Sequence, residues 1–110
     1  MENRILNNIT SLDPDDGLEI IEEIFKNNFP NYVQKKTYNW GGFHGYGVII
    51  EKDNIEIKLG SARGMLEYYL IINEVIDLQK HDKRLKNVNS SSKENFYFVS
   101  SVIKKIIGNG

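Results

Sequence analysis

His44 and His81 are the only two imidazoles in the chain, thirty-seven residues apart. A histidine moves protons near neutral pH when a carboxylate holds it in place. Glu51 and Glu56 lie across a hairpin from His44, so an acid/base pair is one chemistry these residues could perform. A zinc ion would need oxygen or nitrogen ligands, because the chain has no cysteine. The same lack excludes a disulfide framework and thiol redox chemistry. Ser90, Ser91, Ser92, Ser100 and Ser101 sit in no nucleophile elbow, and Ser100 and Ser101 are expected on the exposed side of the last helix. Gly41, Gly42, Gly45 and Gly47 lead into a strand, so they form neither a dinucleotide fingerprint nor a Walker loop. Asp13-Pro14-Asp15-Asp16-Gly17 has the opening of a calcium loop without its later ligands. No catalytic set is assembled, so neither enzymatic activity nor a cofactor is expected.

Two other groups of residues suit recognition. The first is acidic: Asp13, Asp15, Asp16, Glu19, Glu22 and Glu23. Such a face can steer a basic partner into encounter, or it can be an ordinary solvated helix surface. The second is aromatic: Tyr38, Trp40, Phe43, His44 and Tyr46, interrupted by glycines. Aromatics give large contact areas at low entropic cost. The competing reading is that alternate aromatics fill the core while the glycines allow a bend. The residues expected to touch a partner are Asp15, Asp16, Glu19, Glu22, Glu23, Trp40, Phe43, His44 and Tyr46. Lys80, Lys83, Arg84, Lys86 and Lys93 form a basic patch better suited to solubility than to nucleic acid.

The elements that position these groups begin with a hairpin, Gly42–Leu59. Ile55, Ile57 and Leu59 alternate with Glu56 and Lys58, the period of a half-buried strand. Asp53-Asn54 supplies the turn, and Gly60-Ser61 is expected to end the hairpin. Asp13 is a good N-cap and Pro14 suits the first helical position. Leu18, Ile21, Ile24 and Phe25 then line one helical face opposite the acids, up to Pro30. Asn31–Trp40 reads as an edge strand guarded by Lys35 and Lys36. The apolar run Leu66–Leu78 is long enough to favour a helix capped by Ser61, with a strand within Tyr69–Ile76 as the rival. Lys80–Lys86 is charged and leads into a loop, and Asn89-Ser90-Ser91-Ser92 is loop-like in composition. Ser91 with Glu94 resembles a capping box. Phe96, Val99, Val102, Ile103, Ile106 and Ile107 repeat at helical spacing. A weak helix over residues 1–12 and a frayed tail at 108–110 complete the reading.

A chain of 110 residues is the size of one domain. The expected fold is α+β: a small antiparallel sheet built around a central hairpin, packed against two or three helices, over residues 1–110. The net charge of -1 argues against general nucleic-acid binding. It conceals a gradient, since residues 1–30 carry seven acidic and two basic side chains. No membrane span or leader peptide is read from the sequence, so a cytoplasmic location is expected.

Asp13-Pro14-Asp15-Asp16 followed by Glu19-x-x-Glu22-Glu23, on a short cysteine-free α+β chain, resembles bacterial immunity proteins, including those of contact-dependent growth inhibition systems. The resemblance covers size, composition and the acidic helix, and carries no diagnostic motif. It implies a protein that binds and neutralises a cognate toxin, such as a nuclease with a basic substrate cleft. Two alternatives stand beside it. One is a homodimeric regulatory or adaptor subunit that buries Tyr68–Leu78 or a sheet edge. The other is a small hydrolase using His44 with neighbouring carboxylates.

Overall fold

The computed structural model describes residues 11–108. Helix α1 spans Pro14–Asn28. The Asp13 carboxylate accepts the Asp16 N–H at 2.9 Å, and Pro14 occupies the first turn, where no intrahelical donor is needed. Ile21, Ile24 and Phe25 are buried, while Asp15, Asp16, Glu19, Glu22 and Glu23 are exposed. The amphipathic period therefore translates directly into one packed and one wet face.

Five antiparallel strands follow as a meander in the order β1-β2-β3-β4-β5. They are β1 (Val33–Asn39), β2 (Tyr46–Lys52), β3 (Ile55–Ala62), β4 (Met65–Ile72) and the two-residue β5 (Glu74–Val75). Helix α2 (Leu78–His81), a 3₁₀ turn at Lys83–Asn87 and helix α3 (Lys93–Ile107) complete the chain. Both long helices pack on the same face of the sheet, α1 over β2 and β3, and α3 against α1 and β4. Between the layers lies one core containing Ile21, Ile24, Val48, Ile50, Ile57, Leu59, Leu70, Phe96, Val99 and Ile103. The expected α+β class, with an antiparallel sheet around the central hairpin, is the observed one.

Several local expectations are corrected. The run from Leu66 is strand, not helix: β4 pairs with β3 along Ile55↔Ile72 through Ala62↔Met65. The connection is a two-residue turn in which Arg63 (φ 56°) and Gly64 (φ 75°) are both left-handed, the geometry that matches the twist of a hairpin. Consequently Gly60-Ser61 does not end the hairpin, and Ser61 caps no helix. It is buried inside β3, where its hydroxyl donates to that of Ser91 at 2.7 Å. Leu66, Tyr68, Leu70 and Ile72 face the helices, so Glu67, Tyr69 and Ile71 fall on the opposite face. Apolar residues on both parities hide the strand period.

The cap of α3 is Ser92, one residue beyond the expected Ser91, and it accepts the Asn95 N–H. Ser100 is buried rather than exposed, and accepts from the Asn28 side chain at 3.2 Å. The charged stretch Lys80–Lys86 holds the last two residues of α2 and the first four of the 3₁₀ turn. Asp82 caps that turn, and its carboxylate is gripped by both Arg84 Nε and Nη2, at 2.9 and 2.6 Å. This fork holds the Asp82 carboxyl down at about 2. The helix read over residues 1–12 falls almost wholly outside the described residues; Ser11 and Leu12 are not helical. No described helix is long and apolar enough to cross a membrane.

Candidate functional site

The turn between β1 and β2 stands out at one corner of the molecule. Trp40 is 59% and Phe43 63% exposed, and His44 is also exposed. The Trp40 N–H donates to the Gly45 carbonyl at 2.8 Å, and the Gly45 N–H to the Gly41 carbonyl at 2.7 Å. Gly41 (φ 94°) and Gly45 (φ 113°) supply the left-handed conformations this loop needs. Trp40 lies against Tyr38, with ring centroids 4.4 Å apart. Phe43 meets His44 edge-on at 5.2 Å, and the Arg63 guanidinium sits 4.9 Å from the Phe43 centroid. These contacts hold large exposed rings in defined positions.

The loop also touches α1. A Cβ placed on Gly42 would lie 3.9 Å from Pro14 Cδ. The aromatic turn therefore borders the first turn of α1, beside Asp15 and Asp16. Glu19, Glu22 and Glu23 continue along the outer side of the helix, farther from the aromatics. The structure thus joins the loop to the helix through Gly42 and Pro14; Asp15 and Asp16 follow Pro14 on the helix, Trp40 lies with Tyr38 on the sheet face away from α1, and the three glutamates extend the acidic strip.

Tyr46 does not belong to this surface. It is 1% exposed, and its hydroxyl donates to the Leu12 carbonyl at 3.3 Å. The sheet parity explains the correction: Tyr46 shares its face with Val48 and Ile50, under α1. Burial pushes its phenol pKa up.

The suspected acid/base pair is not assembled either. His44 is in the turn, whereas Glu51 and Glu56 face each other near the far end of the hairpin. The distance along β2 from Tyr46 to Glu51 is about 17 Å at the usual rise of a strand. Glu56 instead accepts from Lys35 Nζ at 2.7 Å and from the Tyr69 hydroxyl at 2.5 Å. The Lys35 bond, then the Tyr69 bond, lowers the Glu56 pKa below its ordinary value. Desolvation and the bond to Glu56 raise the Tyr69 pKa. Among the described residues, no three His, Asp or Glu side chains converge as a metal site.

Lys35, Glu56 and Tyr69 belong to the sheet face that no described helix covers. Lys36, Tyr38 and Trp40 share that face with Lys58 and Glu67. Lys58 Nζ bonds Glu67 at 3.2 Å and lies 5.4 Å from the Tyr38 centroid. Tyr38 lies over Gly47, where a Cβ would come within 2.9 Å of its hydroxyl oxygen. Tyr69, Lys58 and Glu56 were invisible as a group in the sequence, because reading β4 as helix removed Tyr69 from the sheet. The alternation of Glu56 and Lys58 was the available signal.

No protein-family model matches the chain, and no curated protein or solved structure is significantly similar to it. The functional reading therefore stands on the residues and their geometry.

Proposed function

We propose that this protein is a binding inhibitor that neutralises a cognate toxin, of the kind exemplified by a nuclease, by occluding a basic substrate cleft. One observation carries the reading: the loop that exposes Trp40 and Phe43 sets its Gly42 beside Pro14, at the acidic start of α1. In this arrangement the carboxylates of Asp15, Asp16, Glu19, Glu22 and Glu23 attract the basic cleft and set the encounter rate. Trp40 and Phe43 then supply the desolvated contact that holds the complex. The resemblance to immunity proteins supports the same reading through size, composition and the acidic helix. The bacterial cytoplasm is the compartment this function implies.

The homodimer alternative has less support. Tyr68–Ile72 is part of a strand paired to β3, with Ile71 and Ile72 also pairing with β5, so that segment offers no free helical face; the sheet edge, the other surface such a dimer would use, is exposed along β1.

The test uses the C-terminal domain of the protein encoded immediately upstream as the candidate toxin. Its activity is assayed with and without this chain, and association is followed by stopped flow at low and high salt. Glu19→Lys/Glu22→Lys/Glu23→Lys is expected to slow association about tenfold at low salt. Trp40→Ala is expected to weaken affinity by about tenfold or more. Failure to inhibit the toxin overturns the function. An unchanged association rate removes the acidic strip from the mechanism, and unchanged affinity removes Trp40 as the anchor.

A further inference from the structure

Strand β1 ends the sheet, and Val33–Thr37 are all exposed. Its ladder to β2 leaves a second row of backbone groups pointing outward. Their positions follow from the hydrogen bonds. Trp40 N–H bonds the Gly45 carbonyl, and the register continues through Asn39↔Tyr46, Tyr38↔Gly47, Thr37↔Val48 and Lys36↔Ile49. Bonded and non-bonded pairs alternate in an antiparallel ladder. Tyr38 and Lys36 therefore bond inward to β2, while Thr37 and Asn39 direct their N–H and C=O groups away from the sheet. Among the described residues, nothing pairs with them.

Two further features lie along this edge. On the helix side, a groove of about 440 Å³ opens between α1 and the sheet, lined by Glu22, Phe25, Phe29, Gln34, Val48 and Ile50. On the open side, Lys36 Nζ lies 5.5 and 5.6 Å from the Tyr38 and Trp40 centroids. Among the described residues no carboxylate is within ion-pair distance of Lys36. The bulge between Gln34 and Lys36 sends Lys35 and Lys36 to the same face.

We propose that β1 is a docking edge for an extended segment of another protein, which joins the sheet as an added strand. The segment bonds to the outward groups of Thr37 and Asn39. Its residues alternate: apolar side chains on the helix side cover the groove, and a carboxylate on the open side meets Lys36. A second copy of this chain fits poorly, because pairing two β1 edges gathers Lys35 and Lys36 of both copies on one face of the joined sheet with no added carboxylate. The backbone recognition is that of β-strand addition, in which main-chain bonds give affinity and alternate side chains give selectivity. The proposal does not depend on toxin neutralisation.

The experiment pans a displayed library of random eight-residue peptides against the folded protein. Enriched peptides are then measured by titration calorimetry and by amide hydrogen exchange. They are expected to alternate apolar and polar residues with an acid on the polar side, and to protect the Thr37 and Asn39 amides. Thr37→Pro removes one outward donor without touching the β2 ladder, a substitution an edge strand tolerates. It is expected to weaken binding about tenfold or more, while Thr37→Val, which keeps the N–H, retains it. Equal binding by Thr37→Pro with an unchanged melting curve overturns the proposal. So does a library without alternating sequences, protection elsewhere, or a dimer of this chain in sedimentation that Thr37→Pro abolishes.

Discussion

Gly17 and Tyr46 occupy each other's space: a Cβ on Gly17 would overlap the hydroxyl and ring of Tyr46. A glycine in the first turn of a helix is a poor choice by local propensity. Here it opens the slot through which Tyr46 reaches the Leu12 carbonyl. Gly17→Ala should therefore destabilise the fold by about 1–3 kcal/mol through overpacking, despite alanine's higher helix propensity. Tyr46→Phe in the same background should recover part of the loss, since it removes one overlapping atom. Urea denaturation of the two single variants and the double variant measures the coupling. Additive effects would show that the two sites do not press on each other.

Leu70 and Ile71 are neighbours with opposite fates in β4. Leu70 is fully buried under the helices, while Ile71 is only half-buried on the other face. Leu70→Ala should cost about 2–5 kcal/mol, and Ile71→Ala clearly less. Equal losses in denaturant titrations would contradict the register of β4.

Ser91 and Ser92 do different work. Ser92→Ala removes the cap of α3 and should cost about 0.5–2 kcal/mol. Ser91→Ala leaves the buried Ser61 hydroxyl without its partner, with an expected cost of about 1–3 kcal/mol. Glu94 sits two residues past the true cap, out of capping-box register, so Glu94→Ala should change stability by less than about 0.5 kcal/mol. Thermal melts of the three variants check this, and a large loss for Glu94→Ala would restore the capping box.

Glu56 predicts a pH dependence. Its folded pKa lies below the ordinary value of 4.5, through Lys35 first and Tyr69 next. The folded state thus holds the proton less tightly than the unfolded chain does. The resulting stabilisation is present above the ordinary value and is lost as pH falls through the folded one. The stability difference between the native protein and Glu56→Gln should therefore be larger at pH 7 than at pH 3, as read from urea midpoints. A constant difference would mean that the ionised carboxylate contributes nothing.

Local signals were enough for the parts of the molecule whose neighbours in sequence are also neighbours in space. Asp13, Pro14 and the apolar spacing from Leu18 to Phe25 specify α1, because a helix satisfies its own backbone and its cap is three residues away. The acidic face of that helix was legible for the same reason. The alternation at Ile55–Leu59 likewise marked a strand with one wet side. Other features were settled only by pairing across the sheet. Leu66–Ile72 is apolar on both parities, so its partner β3 chose strand over helix. The bulge in β1 broke the parity that would have put Gln34 and Tyr38 on one face. Tyr46 is inside and Trp40 outside because the register with β3 turns Tyr46 toward α1, whereas Trp40 lies beyond the end of β1. Residue types showed that aromatic and acidic groups were available; long-range backbone hydrogen bonding decided which of them share a surface.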